Sequence, residues 1–154
     1  MAKVTLSPKG RSALGRTHLL TLNSGRPVTM SNRHLLDVRL HYEIVRTEAS
    51  VQPFRVTTRA YLHRVLDPRG VEVISAHWHP TGSSAVDFPH WHIGSAALAS
   101  DGVFTSRAHV PSPRVSVEDM VYLCLTQFGC EPQREDWRSI LDASDAVFRS
   151  HKSW

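Results

Sequence analysis

Two copies of a His-Trp-His triplet, His77-Trp78-His79 and His90-Trp91-His92, hold four of the chain's ten histidines and two of its four tryptophans. Imidazole is well suited both to binding a transition-metal ion and to moving a proton near neutral pH. Along a strand, successive side chains alternate between faces, so each triplet puts its two histidines on one face and its tryptophan on the other. If the triplets pair antiparallel through a Thr81-Gly82-Ser83-Ser84 turn, cross-strand neighbours about 4.5–5.5 Å apart bring all four imidazoles together. Two such pairs can fill the tetrahedral shell of zinc or another transition metal, and a catalytic ion would take three and keep water on the fourth position. Asp87, just upstream of the second triplet, is a candidate extra ligand or a group that orients one. The same four histidines also suit metal-free acid–base chemistry on a phosphodiester, with Arg55, Arg59 and His63 as phosphate contacts from the face of a neighbouring strand. A lone histidine beside a tryptophan is ordinarily a packing residue. Four in so short a span point to a site. Trp78 and Trp91 are expected in the core, and His18, His34, His41, His109 and His151 fall into no pattern.

The elements that must position the triplets follow from periodicity. Val38, Leu40, Tyr42 and Ile44 alternate with Asp37, Arg39, His41 and Glu43, the period of a half-buried strand. After Pro53, strict alternation puts Phe54, Val56, Thr58, Ala60 and Leu62 on one face and Arg55, Thr57, Arg59, Tyr61 and His63 on the other. Asp67-Pro68-Arg69-Gly70 has the composition of a hairpin turn into a third strand, which runs from Val71 into His77. Beyond the second triplet, a turn at Asp101-Gly102 leads to a strand from Val103 to Val110. Ser116 is a good N-cap, with Asp119 closing a capping box, for a helix whose apolar positions are Val117, Met120, Val121, Cys124, Leu125 and Phe128, stopped by Gly129. A second amphipathic helix is expected from near Arg134 to about Ser150, with Trp137, Ile140, Leu141, Ser144, Val147 and Phe148 on one face. Residues 1–33, rich in Gly, Pro and basic residues, read as a loosely ordered arm in which Gly15 opposes a short helix around Arg11 to Leu20. Residues 34–154 then form a single α+β domain: an antiparallel meander of four to five strands with two C-terminal helices packed on one face.

The chain has 154 residues, enough for one domain with its own core. Its apolar content of 41% is that of a globular protein, and it has no apolar run long enough to cross a bilayer and no apolar signal core at its start. A cytoplasmic location is expected, with Cys124 and Cys130 reduced; their spacing matches no metal motif, and both read as buried structural thiols. Residues 1–70 carry twelve Lys/Arg against four Asp/Glu, and residues 71–154 six against ten. A basic half of this kind suits nucleic acid or an acidic protein partner, or is simply a solvated charged face.

The stretch Tyr61-Leu62-His63-Arg64-Val65-Leu66-Asp67, followed by Gly70-Val71-Glu72-Val73, then His77-Trp78-His79-Pro80, Pro89-His90-Trp91-His92 and a helix over residues 115–128, resembles the TumE-like toxins of toxin–antitoxin modules. The resemblance covers about residues 54–129. It implies a small bacterial growth inhibitor, or a relative serving antiphage defence, acting on RNA or another nucleic acid and neutralised by an antitoxin or other protein partner. In element order alone the chain is also similar to ubiquitin-conjugating enzymes and RWD domains. Their catalytic cysteine has no counterpart between Gly94 and Gly102, which would make the chain a non-catalytic interaction module. A structural metal-binding domain is the remaining alternative.

Overall fold

The computed structural model describes residues 2–7, 14–48, 53–81 and 85–151. Among the described residues, eight strands and two α-helices are formed: β1 (Val4–Ser7), β2 (Thr17–Leu22), β3 (Val28–Thr29), β4 (Leu35–Arg46), β5 (Phe54–Leu66), β6 (Glu72–Trp78), β7 (His90–Ile93), β8 (Val110–Pro111), α1 (Val117–Thr126) and α2 (Trp137–His151). The strands make one antiparallel sheet in the order β1-β2-β4-β5-β6-β7-β8, with β3 beside the start of β4. The α+β class and the C-terminal helix pair are those expected, while the strand count exceeds four to five.

The surplus strands come largely from the segment expected to be a loose arm. β2 pairs with β4 from Thr17↔Glu43 to Thr21↔Arg39, and β1 pairs with β2. His18 and Thr21 are buried there, and Thr17–Leu22 is strand where a short helix was conceivable. Of that helix's other positions, residues 11–13 lie outside the described residues, as do Gly82, Ser83 and Ser84 of the turn expected between the triplets.

β4 and β5 form the long central hairpin. Its buried anchor is Asp37, 2% exposed, whose carboxylate accepts from the Arg64 guanidinium at 2.5 Å and from Arg39 Nε at 3.4 Å. The turn from β5 into β6 forms as expected: Gly70, at φ +84°, donates to the Asp67 carbonyl, and the Asp67 carboxylate accepts from the Arg69 and Val71 amides. Gly70 suits the left-handed conformation needed there.

One face of the sheet carries Leu36, Val38, Tyr61, Val65, Ala76 and Trp78, which form a core with Val115, Met120, Cys124 and Cys130. α1 starts at the expected capping box: Ser116 Oγ accepts from the Asp119 amide at 3.0 Å, and the Asp119 carboxylate accepts from the Ser116 amide at 2.8 Å. Both cysteines are free and buried, and burial pushes the Cys124 thiol up to about 12. They are inert packing groups, as their surroundings suggested.

α2 begins at Trp137, after the Arg134–Asp136 ion pair, rather than near Arg134. It lies on α1 through the Tyr122–Trp137 ring contact and the Ser144–Glu118 hydrogen bond. Its apolar stripe is only partly covered, with Ile140 and Val147 exposed. The helix pair therefore packs on one face of the sheet mainly through α1.

Candidate metal centre

β6 and β7 pair antiparallel with His77 opposite His90 and Ser75 opposite His92. Alternation then separates the two kinds of side chain. Ala76 and Trp78 turn into the core, with Trp91 packed against it, and the histidines take the opposite face of the sheet. Trp78 Nε1 donates to the Asp87 carbonyl at 2.9 Å, so the contact seen for Asp87 runs through its backbone. The four imidazoles of the doubled triplet meet: ring centroids of His77 lie 4.7 Å from His79, 5.4 Å from His90 and 5.5 Å from His92, and His90 lies 4.8 Å from His92.

A fifth histidine joins them. β7 and β8 pair Trp91 with Val110, so His109, the residue just before β8, stands beside His92. Its ring is 4.5 Å from that of His92 and 4.8 Å from that of His90. The sequence signal for it was faint. His109 is isolated in the chain and lies just outside β8, which is two residues long and ends in a proline, while residues 103–109 are irregular instead of forming the expected strand.

Among the described residues, His77, His90 and His92 form one group able to hold a metal ion, with ligand atoms all within 4.8 Å of one another. His90 is fully buried, and its Nδ1 donates to the Phe88 carbonyl at 2.7 Å. That bond fixes the tautomer and leaves Nε2 as a bare lone pair, the arrangement in which a backbone carbonyl orients a metal-ligating imidazole. His90 Nε2 faces His92 Nε2 at 3.1 Å. Two nitrogens bound tetrahedrally to one zinc at about 2.0–2.1 Å would be about 3.3 Å apart, so this pair already has ligand spacing. His77 needs a side-chain adjustment on the order of 1 Å to close the trio. Its Nδ1 is buried with no hydrogen-bond partner, and a bound ion is one way to satisfy such a group.

The electrostatics favour uncharged rings. Burial first, and then the neighbouring histidines, pull His77 down to about 4. His90 and His92 are also lowered by burial, partly offset by hydrogen bonds to the Phe88 and Ser106 backbone respectively. Neutral imidazoles are the form that binds metal. Gly94, directly after β7, has no room for a side chain: a Cβ there would sit 2.0 Å from the Glu72 carbonyl oxygen.

The three phosphate contacts expected from β5 are not at this centre. His63 pairs with Ala76 in the sheet, points into the core with no exposed surface and stacks on Tyr61 at 5.0 Å. Arg59 is engaged by Glu43 at 2.6 Å, and Arg55 pairs with Val45 near the far end of the hairpin. Nor do the three share a face. His41 pairs with Ala60 and Tyr42 with Thr58, which leaves Arg59 as the extra residue of a β-bulge. The bulge reverses the alternation, so Arg55 and His63 point to opposite sides of the sheet.

Comparison with protein-family models, with curated proteins and with solved structures found no match. The centre is described by its own geometry: an all-nitrogen cluster, one imidazole oriented by the backbone, and an exposed histidine, His109, at its rim. No helix among the described residues is long and apolar enough to cross a membrane.

Proposed function

We propose that this chain is a small metal-dependent hydrolase in which His77, His90 and His92 hold zinc or a similar transition metal and the fourth position takes water. A zinc held there would act as a Lewis acid and lower the pKa of a water it binds toward neutrality. His109, at the solvent-facing rim, and His79, beside His77, would accept or return the proton. The bond cleaved is a phosphodiester of RNA or another nucleic acid, in a toxin-like protein held in check by a partner. That part of the reading is supported by the resemblance over residues 54–129 and by the basic balance of residues 1–70.

The observation that carries the proposal is the His90–His92 pair, already at ligand spacing with the His90 tautomer set by Phe88. Full burial of His90 favours one second reading, a structural ion tying β6 to β7. The deciding experiment measures metal content of the untagged protein and of a His90→Ala/His92→Ala double variant, with cleavage of an RNA oligonucleotide assayed with and without chelator. One ion per chain, lost in the variant, and cleavage abolished by chelator are expected. Absence of binding even when zinc is titrated in would overturn the metal centre. Metal binding without cleavage, with a variant that no longer folds, would leave the structural ion.

A further inference from the structure

On the other side of the sheet lies a cavity of about 260 Å³. Its walls are Leu20, Leu22 and Leu40 from β2 and β4, Val115 and Val117 at the start of α1, and Phe148 from α2. Tyr61, His63 and Arg114 also line it. The lining is mostly aliphatic or aromatic, which disfavours ordered water: a buried water needs two to four polar partners, and apolar cavities stay dry.

Among the polar side chains that line it, which include Arg114, Thr58, Ser116 and Glu118, His63 stands apart. It is fully buried, yet neither ring nitrogen has a hydrogen-bond partner of normal geometry. The Leu62 backbone gives the ring a weak hydrogen-bonding contact that falls short of normal geometry. A buried polar group left in this state forfeits its hydration without a replacement bond. The neutral ring offers one donor and one bare nitrogen.

We propose that this cavity is a second binding site, for a small and mainly apolar ring compound that carries a single hydrogen-bonding group and places it on His63. Size supports one substituted ring or two fused rings, since an engineered apolar cavity of about 150 Å³ already takes up benzene. The apolar walls supply affinity, and the orphaned imidazole supplies selectivity. A site built to bond a hydroxyl rejects the analogue that lacks it. The proposal is independent of the metal centre, because His63 and the histidine cluster face opposite sides of the sheet.

The test titrates p-cresol and toluene, near-identical in shape, into the full chain and follows the backbone amide signals of Leu20, Leu40 and Val115 by NMR. Toluene is the more hydrophobic probe, so a preference for p-cresol requires a hydrogen bond. Saturable shifts from both probes are expected, with p-cresol bound at least five-fold more tightly. His63→Leu should erase that preference while keeping toluene binding, and Leu20→Trp, which fills the cavity, should remove both. Absence of saturable shifts in the wild type would overturn the site, as would equal affinity for the two probes. If His63→Leu fails to fold, the wild-type ratio and Leu20→Trp decide, and binding retained by Leu20→Trp overturns it.

Discussion

At the scale of single residues, the centre depends on how each imidazole is held. His90 is buried and oriented by Phe88, whereas His109 reaches the rim from an irregular segment. His109→Ala is therefore expected to leave the ion bound, as read by competition with a chromogenic chelator, while lowering cleavage of an RNA oligonucleotide by roughly 100-fold, the lower end for a group that transfers a proton. Gly94 is a position where the backbone cannot accept a side chain. Gly94→Ala drives a methyl group into the Glu72 carbonyl and should cost about 2–3 kcal/mol as overpacking, read from urea unfolding. An unchanged midpoint would mean that the close approach is relaxed in solution. The histidine triplets were legible because they are local: alternate residues of one strand share a face whatever the strand pairs with. His109 was not, because nothing near it in the chain marks it.

At the scale of elements, the start of α1 and the turn into β6 follow from a few adjacent residues. Ser116 and Asp119 satisfy each other's backbone amides in the first turn of α1, and the helix in turn places Met120 and Cys124 in the core. Ser116→Ala should destabilise the protein by about 1 kcal/mol, seen as a lower thermal midpoint with the fold retained. β5 shows where local reading fails. The bulge at Arg59 changes which face every later residue occupies, so His63, expected beside the phosphate-binding arginines, enters the core. β2 was missed for a related reason. Thr17–Leu22 has too few residues to declare itself and becomes a strand by pairing with β4, from Thr17↔Glu43 to Thr21↔Arg39, far along the chain.

At the scale of the whole molecule, burial of neutral histidines ties stability to pH. His63 is lowered from its ordinary value to about 4, chiefly by burial. The unfolded chain takes up this proton near pH 6.5 and the folded protein only near 4, so the unfolded state binds more protons in between. The stabilising contribution is present in full above about pH 6.5 and is lost as pH falls toward 4. It amounts to at most about 3 kcal/mol. Thermal midpoints measured from pH 7 down to 4.5 should therefore fall, and His63→Leu should flatten part of that slope. An identical slope in the variant would place the acid sensitivity on other groups, of which His77 is the foremost.

From the sequence by itself came the features set by neighbours along the chain: the shared face of each histidine pair, the turn at Asp67–Gly70, the cap at Ser116, and the order of a sheet followed by two helices. These rest on steric alternation, turn chemistry and capping, which act over two to four residues. Tertiary structure alone decided which strands meet. It brought His77 opposite His90, added His109 through the short β8, drew the basic N-terminal segment into the sheet and sent His63 to the opposite face. Strand pairing joins residues far apart in sequence, and one bulge reverses every side chain beyond it, so no local pattern could reveal either outcome.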